Sequence, residues 1–395
     1  MVQPILKPAC HDAGFGSLAF FLIMGLCRFT GFFFDVVQLF LCLFRGVIGF
    51  ICPFAILLIF VVVRVALHQN RSLSVLALII PACHGTKQPV FICTEWGKVK
   101  RLRILSGGEQ KLTLPKDETS KIEVSTEYGT LRRVILCPPR YMAIEEAINE
   151  VQKQYENENI DRERAMDQYR TFRDTLRAHG AEVIELEPSE EYPEQVFTRD
   201  IGFTVGEELF ISRMASDIRQ GEEEALEKLL CEKGIRYRKL DGGKIEGGDV
   251  IVDRDTVYVG VSERTSRDAI LMLTEELPKH DIVPIEFDGK YLHLDCVFNI
   301  LSPGTALIFP EALHPATVEK LGEKYNLIEV SADEQFTMGT NVLSIGGRKL
   351  FSLPVNPEVN HAMRDHGYEV IEIDFTEIIK SGGSFRCCSM PVERG

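Results

Sequence analysis

From about Thr126 to the C-terminus, short apolar runs alternate with amphipathic stretches. Val134–Cys137, Glu182–Leu186, Glu208–Ser212, Val250–Val252, Val257–Val261, Ala306–Phe309 and Val342–Ile345 have the length and β-branched content of strands. Between many of them, Arg162–Ala178, Gln220–Glu232, Arg264–Leu277 and Ala312–Tyr325 place apolar residues at helical spacing. This alternation predicts an α/β fold with its sheets buried under helices. Several strands come in close pairs before a helix, so simple βαβ winding is not required.

The N-terminal part has another pattern. Gly46 to Val63 runs eighteen residues without a charge, close to bilayer-spanning length. Phe15 to Phe34 is nearly as apolar and is broken only by Arg28, whereas Leu73–Cys83 is too short to span. The apolar material is too long for a signal peptide and lacks a tidy cleavage site. Residues 1–120 therefore read as a hydrophobic leader, and 121–395 as the catalytic domain. The leader is either one or two membrane helices, at about 15–34 and 46–67, or an upstream extension that never folds.

Charge follows the same division. The chain has 395 residues and a formal net charge of −14. Residues 1–90 hold six Lys/Arg and only Asp12 and Asp35 as acids, whereas the remainder carries a net −18. An acidic body argues against a nucleic-acid partner, whose affinity comes largely from Lys/Arg displacing counterions. Eleven cysteines are scattered without a CxxC pair, which disfavours structural zinc and a disulfide scaffold. Thiols kept reduced in a cytosolic compartment fit better, and one cysteine with His and acid partners becomes a candidate nucleophile. No GxGxxG follows the first strand and no GxxxxGK[ST] occurs, so nucleotide binding is unsupported.

Five local motifs carry the chemistry: Phe197-Thr198-Arg199-Asp200, Glu246-Gly247-Gly248-Asp249, Gly260-Val261-Ser262-Glu263-Arg264-Thr265, His293-Leu294-Asp295, and Gly382 to Pro391 around Arg386-Cys387-Cys388. Each is expected at the end of a strand or in the turn just after it. Asp200 beside Arg199 suits either ligand binding or a structural ion pair. Glu246 precedes a Gly-Gly turn whose bare backbone leaves room for a ligand. His293 and Asp295, two apart, would share one face of a strand, as a tuned imidazole or a metal pair. A third metal ligand at recognisable spacing is missing, so no metal is expected. Strand alternation would likewise turn Cys387 and Cys388 to opposite faces.

These motifs, in this order, resemble the guanidine-modifying enzymes of the pentein superfamily: dimethylarginine dimethylaminohydrolases, arginine deiminases and amidinotransferases. The resemblance starts at Glu127-Tyr128-Gly129-Thr130-Leu131 and covers roughly Thr126 to Gly395. It implies a five-bladed ββαβ propeller, here preceded by the hydrophobic segment. Between Gly129-Thr130 and Glu194 there is room for a strand, two helices and a strand, but not for the helical insertion of arginine deiminases. That compactness looks like a dimethylargininase, although FTRD, IEGGD and RCxSMP read much like deiminase motifs.

The resemblance implies a cysteine-dependent hydrolase that needs no cofactor. Cys387 would attack the guanidinium carbon as thiolate. Asp200 and Glu246 would bind the guanidinium N–H groups. His293 would protonate the departing amine and then deprotonate water, with Asp295 supporting its cationic form. Phe197 and Asp249 complete the substrate-binding set, and Arg264 and Arg213 would grip an α-carboxylate. The expected partner is a small arginine-type molecule. Membrane attachment through the leader and a homodimer stay open. So do two readings from other classes, a noncatalytic binding propeller and a membrane-tethered sensor.

Overall fold

The computed structural model describes residues 121–395 in full and, before them, the backbone of three strands. The chain divides into two compact units, Met1–Leu112 and Thr113–Gly395. In the first unit, β1 (Ile59–Leu67), β2 (Arg71–Ile80) and β3 (Val90–Thr94) form an antiparallel sheet in that order. This corrects the membrane-helix expectation for 46–67 over its described portion. Ile59, Val61, Val62, Val63 and Val65 are β-branched, and a strand accommodates such side chains better than a helix does. Arg64 also interrupts the apolar run. The expected helix at 15–34 lies outside the described residues. Among the described residues, no helix is long and apolar enough to cross a membrane.

The second unit holds five three-stranded sheets in a propeller-like α/β arrangement. Four of them repeat one plan: an antiparallel pair, a helix, and a third strand parallel to the second. In order they are β6 (Gly202–Val205), β7 (Glu208–Ile211), α3 (Glu222–Glu232) and β8 (Arg238–Lys239); then β9 (Val250–Asp253), β10 (Thr256–Val261), α4 (Arg267–Glu276) and β11 (Asp281–Glu286). Next come β12 (Phe298–Ser302), β13 (Thr305–Ile308), α5 (Pro315–Lys324) and β14 (Asn326–Glu329). After the short α6 (Ala332–Phe336), the last of the four is β15 (Leu343–Gly346), β16 (Lys349–Ser352), α7 (Pro357–Asp365) and β17 (Glu369–Glu372).

The fifth sheet joins the two ends of the unit. Its β4 (Leu131–Leu136), α1 (Glu150–Tyr155), α2 (Arg162–Ala178) and β5 (Glu182–Glu185) come from the start. Its first strand, β18 (Met390–Arg394), comes from the end and pairs antiparallel with β4. The segment before β4 crosses three sheets: Glu123 N–H donates to Val392 O, Val124 and Gly206 exchange hydrogen bonds, and Glu127 N–H donates to Val252 O. A strand borrowed from the far end thus fixes the C-terminal turn against the N-terminal segment.

The first strands β6, β9, β15 and β18 are buried throughout, while the third strands β5, β11 and β17 turn polar residues to solvent. That contrast accounts for the weak signal of strands such as β17, although the edge strand β5 was expected at Glu182–Leu186. Central runs such as Val250–Val252 are continuously apolar. Glu369-Val370-Ile371-Glu372 at a sheet edge is not. Helix α2 has the amphipathic face its spacing predicted, burying Ala165, Tyr169, Phe172 and Leu176. Its start is capped by Asp161, whose carboxylate accepts from the N–H groups of Glu163 and Arg164.

Phe172 lies against Phe351, Phe375 and Phe385, at ring centroid separations of 5.7, 5.4 and 5.3 Å. It therefore ties α2 to the last sheet and to the turn carrying Cys387. Phe172→Ala should cost about 3–5 kcal/mol, read as a lower urea midpoint at unchanged slope. A loss below about 1 kcal/mol would mean that the aromatic cluster collapses around the gap.

Candidate active site

The first strand of every sheet is entered through a tight turn, and each turn delivers a polar side chain. Asp200 precedes β6, Glu246 precedes β9, His293 precedes β12, Asn341 precedes β15 and Cys387 precedes β18, all within five residues of the strand. The motifs stand before these strands, not after them as expected; only Gly260–Thr265 trails its strand, β10. One-turn 3-10 helices at Gly247–Asp249 and Leu294–Cys296 shape two of the entries. The two glycines after Glu246 make room for protein, not for ligand. A Cβ on Gly247 would stand 2.2 Å from Arg199 O, and one on Gly248 would stand 2.7 Å from the His293 ring.

Phe197, Asp200, His293 and Cys387 line one cavity, together with Glu194, Arg219 and Cys296. The cavity holds about 10 Å³, room for roughly one water molecule. His293 Nε2 donates to Glu246 Oε2 at 2.7 Å, and Nδ1 lies 3.6 Å from Asp200 Oδ1. Glu246 Oε1 accepts from Ala215 N–H at 2.8 Å and meets Arg264 at 3.6 Å. Asp200 Oδ2 accepts from Arg219 at 2.6 Å, while buried Oδ1 has no hydrogen-bond partner. Asp200 thus forms an ion pair, but with Arg219; its neighbour Arg199 instead stands 3.7 Å from Glu127.

The charges are set by these contacts. Burial alone would favour a neutral imidazole, but the carboxylates of Asp200, Glu246 and Asp249 push the His293 pKa up to about 10. Burial opposes ionisation of Glu246 as well, and His293, Arg219 and Arg264 nevertheless hold it down to about 2. Burial, reinforced by Asp295, Cys296 and Asp200, raises the Cys387 thiol well above its ordinary value. Glu194 is pushed up to about 8 by burial, against the pull of Arg219. The resting site is therefore an imidazolium beside a neutral thiol.

Four expected placements differ. Arg213 is exposed; the buried cation at the cavity is Arg219. Asp249 lies behind the cavity as a bracket, accepting from Leu294 N–H at 2.8 Å and Ser262 Oγ at 2.7 Å, so it holds the histidine turn to the Ser262–Thr265 turn. Asp295 does not share a strand face with His293, because Leu294–Cys296 coils into a 3-10 turn. It pairs with Arg386 at 3.2 Å and lies 3.9 Å from Cys387 Sγ. Cys387 and Cys388 also sit in a turn, closed by Cys388 N–H donating to Ser384 O, and Cys387 alone of the two lines the cavity.

Sequence reasoning missed Asn341, Arg219 and Glu194. Asn341 stands just before an expected strand, the place occupied by the other site residues, and that position was the available signal. Asp200, Glu246 and His293 also bring ligand atoms within 4.8 Å of one another, as a metal site would. An imidazolium cannot ligate a metal, and Arg219 and Arg264 add positive charge beside the carboxylates. The donor set fits a cationic planar ligand better than a dication.

A model of the family described as N,N dimethylarginine dimethylhydrolase, eukaryotic, matches residues 138–394. The chain belongs to that family. The uncharacterised protein YkgA of Bacillus subtilis is 51% identical over 284 residues, which is 72% of this chain and 99% of YkgA. The N(G),N(G)-dimethylarginine dimethylaminohydrolase of Mycobacterium tuberculosis is 27% identical, covering 66% of this chain and 86% of its own. Among solved structures, the product-bound N-terminal domain of ArgZ, a cyanobacterial arginine dihydrolase, is 25% identical with a TM-score of 0.61, covering 66% and 97% of the two chains. The family lies within the pentein superfamily, and this member is a hydrolase of guanidino C–N bonds.

The His293–Glu246 pair makes stability depend on pH in a fixed direction. A folded pKa of about 10 against an ordinary 6.5 gives stabilisation that is complete below pH 6.5 and is lost as pH rises toward 10. In thermal unfolding across that range, the wild type should exceed His293→Gln by a gap that narrows steadily above pH 6.5. A gap constant from pH 6 to 10 would show that the buried imidazole is neutral.

Proposed function

We propose that the protein hydrolyses a methylated arginine to citrulline and a methylamine through a covalent S-alkylthiouronium on Cys387. The observation that carries this reading is that Asp200, whose Oδ1 has no hydrogen-bond partner, lines the cavity that Cys387 and His293 share. A guanidinium is planar, cationic and a poor electrophile, so a site must orient it and deliver a strong nucleophile. Asp200 supplies an acceptor for its N–H groups at the cavity, and Asp295, 3.9 Å from Cys387 Sγ, adds negative charge near the reacting carbon. Its positive charge beside Sγ offsets the burial that keeps the thiol neutral, so ionisation accompanies substrate arrival and the proton leaves to solvent.

The thiolate then attacks the guanidinium carbon. His293, already cationic, gives its proton to the departing amine. The imidazole so formed takes a proton from water and the hydroxide adds to the thiouronium carbon. The adduct's remaining hydroxyl proton passes to solvent, where the released amine takes one up, as collapse breaks the C–S bond and returns the thiolate and the ureido product. Phe197, Ile148, Leu292 and Cys296 give the cavity apolar walls on which N-methyl groups would rest. This supports dimethylargininase over arginine deiminase. The deiminase reading draws on the same carboxylates, which suit unmethylated nitrogens equally.

Substrate entry requires movement. Ile148 and Asn149 cover the cavity, with Asn149 Nδ2 donating to Ser381 O at 2.9 Å and Gln152 Nε2 donating to Glu194 Oε1 at 2.8 Å. Parting this strap from Ser381–Gly383 opens the space an amino acid needs.

Incubating the protein with arginine, mono- and dimethylarginine, then measuring citrulline and the amine released, tests the assignment. Cys387→Ser should abolish turnover, whereas Cys388→Ser should keep most of it. A substrate-derived adduct found on Cys388 would defeat the assignment of the nucleophile.

Specificity for an amino acid follows from charge. Arg219 lines the cavity as a cation, and Arg264 is held only loosely at 3.6 Å from Glu246. A charge-assisted bond between Arg264 and a carboxylate is worth roughly 1.5–3 kcal/mol, or about 10- to 150-fold. Agmatine, which lacks the carboxylate, should be poorer by at least the lower factor, and Arg264→Ala should shrink the difference. Equal turnover of agmatine and the arginines by the wild type would remove the carboxylate clamp.

A further inference from the structure

Cys387 is held by a residue that none of the sequence motifs contains. Asn341 is fully buried, in the turn that leads into β15. Its Oδ1 accepts from two backbone N–H groups of the nucleophile turn, Ser384 at 3.2 Å and Cys387 at 3.1 Å. Those two donors fix the orientation of the carboxamide, because the oxygen must face them. Its amino group is thereby aimed at Cys387, and Nδ2 donates to Sγ at 3.0 Å. Among the described residues no other hydrogen-bond partner of that sulfur is as close: the Asp295 oxygens stand at 3.9 and 4.0 Å.

The carboxamide is itself braced on both sides along the chain. Asn299 Nδ2 donates to Thr340 O and to Val342 O, both at 2.8 Å, and Thr340 Oγ1 donates to Cys296 O at 2.6 Å. The backbone flanking Asn341 is therefore pinned to the first strand of the neighbouring sheet. Three bonds from one side chain then fix both the nucleophile's turn and the rotamer of its sulfur. An amide with one free N–H is a donor without charge. It stabilises thiolate over thiol without repelling a cationic guanidinium, which a lysine or arginine in its place would do.

We propose that Asn341 is the positioning residue of the nucleophile, donating to Cys387 Sγ so that the thiolate is favoured and aimed into the cavity. The proposal deepens the reading of Cys387 as the attacking group and rests on it. Its test, however, reads the thiol without any turnover. A hydrogen bond to a charged group corresponds to a pKa change of about one to two units. Its loss should slow thiolate chemistry about 10- to 100-fold at neutral pH.

The discriminating variant is Asn341→Asp in the full chain. It keeps an oxygen for the Ser384 and Cys387 N–H groups and exchanges the donor for a carboxylate. The measurement is the rate of iodoacetamide alkylation of Cys387 against pH, read by mass on the peptide that also contains Cys388. Alkylation forms the sulfur–carbon bond and expels iodide, so its rate follows the thiolate fraction. The expected result is a Cys387 profile displaced upward by at least one pH unit, with the Cys388 profile unmoved. Turnover should show a lower kcat at nearly unchanged KM. If Asn341→Asp does not fold, Asn341→Ala, which removes donor and acceptor together, should show the same displacement of Cys387 alone. A wild-type Cys387 profile in either folded variant, or an equal displacement of both cysteines, would overturn the proposal. Absence of guanidine hydrolysis by the wild type would sink the functional reading and leave the alkylation result standing.

Discussion

The site depends on one buried arginine. Arg386, among the largest fully buried side chains, pairs with Glu127 and with Asp295, and also donates to Val250 O. It thereby connects the C-terminal turn, the N-terminal segment and the turns that introduce β9 and β12. Burial works against an ionised Glu127, yet Arg386, Arg199 and Arg394 hold its pKa at about 2. Removing one partner from such a buried pair costs about 3–5 kcal/mol, because a charge is left without compensation. Arg386 is also the residue before Cys387. The interaction that closes the fold therefore sets where Cys387, the proposed nucleophile, stands, and it ties Asp295, the carboxylate nearest its sulfur, to a positive charge.

A repeated plan explains why a catalytic set can be drawn from distant stretches of sequence. Each first strand is buried and begins near the centre of the unit, so the turn before it is brought beside the other four. Side chains 200, 246, 293, 341 and 387 come together without being near one another in the chain. The positions are equivalent but their side chains are not: two carboxylates, an imidazole, a carboxamide and a thiol. Each was free to differ because each turn is fixed by its own contacts, such as Asp249 bracketing the turns of His293 and Ser262.

The sequence displayed the buried parts of this plan best. Strands with continuous apolar runs and helices with one wide apolar stripe were legible, since burial writes itself into residue type. Edge strands were legible only in part: Glu182–Leu186 was expected, whereas Glu369–Glu372 was not, because solvent on one side weakens that signal. Glu246 and Cys387 stood out as reactive types near glycines, and His293 by its spacing to Asp295. Arg219 did not, because a buried arginine in Asp217–Arg219 looks like any surface arginine until Glu222 and Asp200 are seen to enclose it. The periodicities assumed for His293-Leu294-Asp295 and Cys387-Cys388 failed for one reason: both lie in tight turns, where two residues do not restore the same direction. In the leader, an apolar run of spanning length was compatible with strand as well as helix, and β-branched density was the better guide over 59–67.

The resting electrostatics bear on how the nucleophile avoids idle chemistry. Burial and neighbouring carboxylates keep Cys387 protonated, and a space of about 10 Å³ admits little beyond water. A thiolate held permanently in this position would be open to oxidants and to adventitious electrophiles. In the proposed mechanism the missing positive charge belongs to the substrate. A guanidinium bound at Asp200 would offset the carboxylates that disfavour thiolate, with the Asn341 donor already in place to receive the negative charge. Preorganised donors act without reorganisation when charge develops, and a low-dielectric cavity strengthens them. In that mechanism His293, cationic before substrate arrives, needs no proton from elsewhere to expel the amine. Ionisation of the thiol and orientation of the guanidinium are then two consequences of one binding event, and a neutral ligand of the same shape would trigger neither.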